Sequence, residues 1–186
     1  MEQCCRTQEE ESLCAQVGEK APDFSLDAVL GDGTFTRIAL KDQRGKWVVL
    51  FFYPLDFTFI CPTEITGFSA RIADFEKLNA KVFGVSTDSV HSHKAWLKDL
   101  GDLKTPLLSD KTHQMSDAYG VLIPDEGIAL RGTFIIDPDG LLKYTNIQDN
   151  SVGRSIDEVL RVLSALQTGE LCPVNWHAGE KTLGKA

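Results

Sequence analysis

The side chains best suited to chemistry in this chain are its five cysteines, at positions 4, 5, 14, 61 and 172. Cys61 is set apart by its neighbours. It follows the loop Pro54-Leu55-Asp56-Phe57-Thr58-Phe59-Ile60 and precedes Pro62-Thr63-Glu64. Pro62 suits the start of a helix, because its missing N–H would have no partner there. Proline also disfavours helical backbone in the residue before it, which places Cys61 at the N-cap. Glu64 then falls in the first turn, where its carboxylate could reach back to a free amide as in a capping box. A helix N-terminus carries about half a positive charge and unpaired N–H groups. Both favour thiolate over thiol, and the thiolate is the nucleophile. The alternative is a small buried hydrophobe, the usual state of a free cysteine. The position between an apolar strand and a helix start favours the reactive reading.

Two other residues could serve such a sulfur. Thr58 precedes it by three positions, and its hydroxyl could hydrogen-bond a substrate oxygen or simply stabilise a turn. Arg131 opens the apolar segment Arg131-Gly132-Thr133-Phe134-Ile135-Ile136. There it would either stabilise an anion at a sheet end or remain a surface charge. Zinc is disfavoured, because no C-x-x-C pair and no well-spaced histidine accompanies the cysteines. The missing C-x-x-C also argues against a general disulfide oxidoreductase. Cys4, Cys5 and Cys14 read as exposed thiols on a loose arm. His91 and His93 read as a solvated helix face. His177 reads as a tail residue that could border Cys172.

The elements that must position these groups follow from periodicity. Trp47 to Tyr53 is continuously apolar, as in a strand covered on both faces, and Lys46 to Tyr53 is read as that strand. Ile65, Phe68, Ile72, Phe75 and Leu78 make one apolar stripe, which predicts a helix over 64–78. Further strands are expected at 34–40, 81–86, 105–109, 132–137 and 141–146. Pro138-Asp139-Gly140 reads as the turn joining the last two. Helices are expected at 90–100, capped by Ser89, at 113–119, and at 155–166. Ser155 and Glu158 give the last a capping-box pattern, and Gly169 should stop it. The alternation predicts a three-layer α/β domain with a mixed central sheet. Ligands of such sheets collect beyond the carboxyl ends of the strands, where the Cys61 loop lies.

At 186 residues the chain suits one domain, read as 17–169. A polar arm precedes it at 1–16, and a tail with Cys172 follows at 170–186. The formal charge of -8, with no basic block, argues against a nucleic-acid partner or an anionic membrane surface. The longest apolar run is far short of the roughly 20 residues a membrane span needs. The N-terminus carries acids where a signal peptide would be basic, so a cytoplasmic location is expected.

Phe52-Tyr53-Pro54-Leu55-Asp56-Phe57-Thr58-Phe59-Ile60-Cys61-Pro62-Thr63-Glu64 resembles the active-site signature of the peroxiredoxins. The resemblance extends to Ala21-Pro22-Asp23-Phe24, Val85-Ser86-Thr87-Asp88-Ser89 and Arg131-Gly132-Thr133-Phe134. Glu170-Leu171-Cys172-Pro173 resembles the resolving-cysteine motif of the typical two-cysteine class. The resemblance implies a thioredoxin-like fold with helices on both faces of the sheet and extra N-terminal strands. It implies Cys61 as peroxidatic and Cys172 as resolving cysteine, joined between subunits of a homodimer, with dimers assembling into decamers. Pro54, Thr58 and Arg131 would shape the peroxide pocket, and Glu64 would orient the arginine. Hydrogen peroxide and organic hydroperoxides would be the substrates, with a thioredoxin-like protein or a flavoprotein disulfide reductase as reductant and no metal or organic cofactor. A holdase chaperone or redox-signalling relay on the same oligomer is the competing role. Leu100-Gly101-Asp102-Leu103 stands where peroxide-sensitive members carry Gly-Gly-Leu-Gly, and the sequence ends fourteen residues after Cys172 without their Tyr-Phe pair. A peroxide-robust enzyme of the bacterial alkyl hydroperoxide reductase C type is therefore expected.

Overall fold

The apolar run at 47–53 becomes the strand around which the other layers assemble. The computed structural model describes residues 15–185. Its strands are β1 (Ser25–Val29), β2 (Phe35–Ala39), β3 (Trp47–Phe52), β4 (Ala80–Ser86), β5 (Leu107–Ser109), β6 (Leu122–Ile123), β7 (Ile128–Ala129), β8 (Arg131–Ile136) and β9 (Leu142–Gln148). Seven of them form one sheet in the order β2-β1-β5-β4-β3-β8-β9, while β6 and β7 pair as a separate ribbon. β3 runs parallel to β4, with Phe51 opposite Gly84, and antiparallel to β8, with Leu50 opposite Phe134. The sheet is therefore mixed, and β1 and β2 are additions at its N-terminal edge.

The helices are α1 (Cys61–Ala70), α2 (Ile72–Lys77), α3 (Val90–Leu100), α4 (Gln114–Ala118) and α5 (Ile156–Thr168). Successive strand side chains point to opposite faces, so β3 must be apolar on both to be covered on both. Val49, Phe51 and Tyr53 pack with Ile65, Phe68, Phe75, Trp96, Val159 and Leu163 of α1, α2, α3 and α5. Val48, Leu50 and Phe52 pack on the other side with Phe24, Met115, Tyr119 and Phe134. That second face carries α4 and the connecting loops, which completes three layers.

Ser89 and Ser155 cap α3 and α5 as expected, each hydroxyl accepting from the amide three residues on, at 3.2 Å in both cases. Only half of the capping box at α5 forms, because the Glu158 carboxylate turns to Arg161 at 2.6 and 2.7 Å. Gly169 ends α5 in the left-handed region, at φ 63°. The helix expected over 64–78 is broken at Arg71, whose backbone leaves the helical region at φ -99°, ψ 9°. Its guanidinium bridges Asp74 at 2.7 Å and Asp157 at 2.5 Å, which fixes the break against α5. The apolar stripe survives the break because both pieces keep Phe68 and Phe75 against the sheet.

The expected arm, with Cys4, Cys5 and Cys14, lies outside the described residues except at its end, where Ala15 donates to the Ala118 carbonyl at 2.9 Å. The tail beyond α5 folds back on itself. Leu171 and the 183–184 strip exchange two backbone hydrogen bonds of 2.8 Å, and Trp176 is buried. Among the described residues no helix is long and apolar enough to cross a membrane.

Candidate active site

The loop leaving β3 delivers Cys61 to the head of α1. Pro54 is buried directly beyond the strand. Phe57 takes a left-handed backbone, φ 55°, and its ring lies 5.6 Å from that of Trp96. Ile60, with helical dihedrals, is the N-cap, so Cys61 is the first helical residue and not the cap. Pro62 constrains Cys61 less than expected, because the helical turn already begins at Ile60: the Thr63 amide donates to the Ile60 carbonyl at 3.0 Å. The capping box is also absent. The Glu64 carboxylate is buried and turned toward two arginines.

Those arginines define the site. Arg131, the first residue of β8, donates from Nη1 to Glu64 Oε2 at 2.6 Å, and the same nitrogen lies 3.5 Å from Cys61 Sγ. Its Nε donates to the Asn150 carbonyl at 3.0 Å, which fixes the plane of the guanidinium. Arg131 is buried, so the surface-charge alternative does not apply. The second arginine, Arg154, sits just before the Ser155 cap of α5. Its backbone amide and Nε donate to Glu64 Oε1 at 2.9 and 2.8 Å, and its Nη2 reaches Oε2 at 3.2 Å. It also donates to the carbonyls of Phe52 (2.5 Å) and Gly132 (2.9 Å), tying β3, β8, α1 and α5 together. Burial pushes the Arg154 guanidinium below its ordinary range, while the Glu64 carboxylate acts in the opposite direction.

Arg154 escaped the sequence reading, although it left a signal. A cation beside a helix N-terminus opposes the macrodipole. An arginine immediately before a serine cap therefore needs a compensating anion, and Glu64 is that anion.

Thr58 is half-buried, and its hydroxyl donates to the Leu55 carbonyl at 3.0 Å, the turn-stabilising role. Its lone pairs stay available. Cys61 is 1% exposed and lies in the cluster with Phe51, Tyr53 and Ile65.

Cys172 is in a different place. It is half-buried in a groove of about 560 Å³ beside Lys143, Arg161, Ala165 and Glu170. Its sulfur lies 3.5 Å from Thr168 Oγ1 and 3.8 Å from the carbonyl oxygens of Ala165 and Glu170. Both Cys61 and Cys172 are free. Arg154, at the head of α5, touches the Cys61 cluster, whereas Ala165 lies ten residues beyond the Ser155 cap. At the usual helical rise that is about 15 Å. His177 is exposed and hydrogen-bonded within the tail.

The histidines of α3 divide. His91 is exposed against Phe35, but His93 is fully buried and the solvated reading is wrong for it. His93, Trp96 and Leu100 share the apolar face of α3, and a buried carboxylate, Asp56, meets the imidazole at 2.8 Å.

The AhpC/TSA family pattern matches residues 17–145. The chloroplastic 2-Cys peroxiredoxin BAS1 of Hordeum vulgare is 54% identical over 178 residues, 90% of this chain and 84% of that protein. Among solved structures, the reduced 2-Cys peroxiredoxin of Plasmodium vivax superposes with a TM-score of 0.87 at 38% identity, covering 89% of this chain and 91% of the other. AhpC of Mycobacterium bovis gives 0.79 at 43% identity, covering 88% and 99%. The chain belongs to the AhpC/TSA family: it is a peroxiredoxin, an enzyme that reduces peroxides through a cysteine thiol.

Proposed function

We propose that Cys61 is the sulfur that attacks the hydroperoxide and that Cys172 of a second subunit then closes a disulfide with it. The observation that carries this reading is the Arg131 guanidinium 3.5 Å from Cys61 Sγ, at the first residue of α1. Two buried guanidinium groups, Arg131 and Arg154, share the single carboxylate of Glu64. The cluster therefore holds a surplus positive charge, and a buried unpaired charge is costly. A sulfur anion at Cys61 neutralises it.

The thiolate displaces one oxygen of the O–O bond, forming an S–O bond as the distal oxygen leaves as water or an alcohol after taking up a proton. Charge builds on the leaving oxygen in the transition state, and fixed donors aimed at it lower the barrier. Arg131 is one such donor. Thr58 is the second, once its hydroxyl leaves the Leu55 carbonyl for the substrate. Pro54 shapes the wall of the pocket beyond β3, and Glu64 holds Arg131 in place. The sulfenic acid then condenses with a thiol, releasing water and forming a disulfide. A dithiol protein restores both thiols by exchange.

The separation along α5 supports an intersubunit partner. A disulfide needs its sulfurs about 2 Å apart. Within one chain roughly 15 Å of helix separates the two neighbourhoods. The assignments of the arm to 1–16, the peroxidase domain to 17–169 and the resolving tail to 170–186 belong to the same proposal, as do a dimer or decamer and a thioredoxin-like or flavoprotein reductase.

The test is non-reducing electrophoresis after one equivalent of hydrogen peroxide. A covalent dimer should form in the wild type and in neither Cys61→Ser nor Cys172→Ser. Peroxide consumption should vanish in Cys61→Ser, and persistence of either signal there refutes the assignment.

A further inference from the structure

In the mechanism above Cys172 acts as a nucleophile, yet its surroundings oppose a negative charge. Its sulfur meets the Thr168 hydroxyl at 3.5 Å and the Ala165 and Glu170 carbonyl oxygens at 3.8 Å. The Thr168 hydroxyl donates its own proton to the Ala165 carbonyl at 2.8 Å, so it too presents a lone pair to the sulfur. These oxygens accept from a thiol and repel a thiolate. The end of α5, three residues before Cys172, adds the negative pole of a helix. Condensation with a sulfenic acid nevertheless proceeds through the thiolate.

The groove around Cys172 is lined by two cations, Lys143 of β9 and Arg161 of α5, and one anion, Glu170. Lys143 and Glu170 are exposed, where water and salt screen their charge. The Arg161 side chain is only 26% exposed. Its Nε and Nη2 hold the Glu158 carboxylate at 2.6 and 2.7 Å, and its Nη1 holds the Trp176 carbonyl at 3.1 Å. A guanidinium has five N–H groups, so two remain without a partner among the described residues. The Glu158 hydrogen bonds, against burial, hold the guanidinium above its ordinary range, and the charges of Glu158, Tyr144 and Cys172 add to that.

We propose that Arg161 is a positioning residue for the resolving step. Its guanidinium stabilises the Cys172 thiolate, and its hold on the Trp176 carbonyl keeps the sulfur within its field. The Cys172 thiol loses its proton, the thiolate attacks the sulfenic sulfur of Cys61, and the S–O bond breaks as the S–S bond forms. The departing hydroxide takes up a proton and leaves as water, so atoms and charge balance. Glu158 tempers the effect, because its carboxylate neutralises part of the same guanidinium. The proposal rests on the resolving role given above to Cys172.

Alkylation of Cys172 in the full-length Cys61→Ser protein, followed by mass spectrometry across pH, reads the sulfur without any disulfide. In Arg161→Met the pH of half-maximal alkylation should rise by about one unit, the low end of what a neighbouring charge does. Arg161→Lys should restore most of that shift, and Glu158→Gln should move the midpoint down. A loosened tail alone would speed alkylation at every pH without moving the midpoint, and an unmoved midpoint overturns the proposal.

Rapid quench with Cys61 intact then reads the resolving step. Arg161→Met should leave about one tenth of the thiolate at neutral pH, but a thiolate that much more basic is about threefold more nucleophilic. Disulfide formation should therefore slow about threefold at neutral pH and quicken about threefold in base, with oxidation of Cys61 by hydrogen peroxide unchanged. Profiles of variant and wild type that do not cross overturn the role of Arg161 in resolution. If the wild type forms no Cys61–Cys172 disulfide, the resolving role of Cys172 fails, and the alkylation midpoint still decides whether Arg161 governs that sulfur.

Discussion

Cys61 and Cys172 occupy opposite ends of helices. Cys61 opens α1, where backbone amides lack intrahelical partners. Cys172 follows the last turn of α5, where its sulfur faces the carbonyl oxygens of Ala165 and Glu170. One sulfur meets a guanidinium donor inside the core, and the other meets acceptors in an open groove. The first setting is held by residues from β8, α1 and the head of α5. The second rests on a tail fixed by Trp176, the Arg161 contact to its carbonyl at 3.1 Å, and two backbone hydrogen bonds. In the proposed mechanism the contrast is functional. The sulfur that meets peroxide needs a rigid, donor-rich cradle, whereas the sulfur that crosses to another subunit needs a mooring it can leave.

Changing either side should affect one cysteine and spare the other. Arg131→Met should slow oxidation of Cys61 by peroxide by about a hundredfold or more, the usual effect of deleting a transition-state donor. Competition against a second peroxidase would measure it, and alkylation of Cys172 should be unaffected. Arg154→Met strips Glu64 of a buried partner and should cost about 3 kcal/mol in urea unfolding. Trp176→Ala should free the tail, speeding alkylation of Cys172 about tenfold or more, since a buried tryptophan carries much of such a local fold. The first peroxide step should not change. Acid should have the smallest effect. The Arg161 guanidinium holds the Glu158 carboxyl below its ordinary 4.5, against a weaker opposing effect of burial. With the folded value depressed, this contribution is complete above 4.5 and lost as pH falls through the folded value. The fluorescence of Trp176, isolated by difference from Trp176→Phe, should report tail release only in that acid range. Glu158→Gln should abolish the dependence.

The sequence showed the donor-rich side of this contrast better than the mooring. Cys61, Glu64 and Arg131 sit in contiguous motifs whose strand and helix contexts were legible from apolar periodicity. The seven-stranded sheet was largely readable for the same reason, although β1 was not, because Ser25-Leu26-Asp27-Ala28-Val29 offers little apolar surface. Helix position was harder to read. The proline rule argued for Cys61 as a cap, but the helical turn already begins at Ile60, whose carbonyl accepts from the Thr63 amide. Local pattern aimed Glu64 at a nearby amide, whereas only the family resemblance turned it toward an arginine; its partners lie about 70 and 90 residues away. His93 was grouped with His91 by proximity, yet its spacing to Trp96 and Leu100 follows the buried face of α3. These errors share one cause. A polar side chain's partner is set by long-range folding, which local pattern does not encode.

In the proposed mechanism the near-complete enclosure of Cys61 should also act as a size filter. A molecule as slender as hydrogen peroxide needs only a small fluctuation to touch the sulfur, whereas a bulky electrophile must wait for the loop and the first helical turn to swing away. Under the proposed mechanism a large thiol reagent should therefore label this residue far more slowly than peroxide oxidises it, and the ratio of the two rates would measure that enclosure.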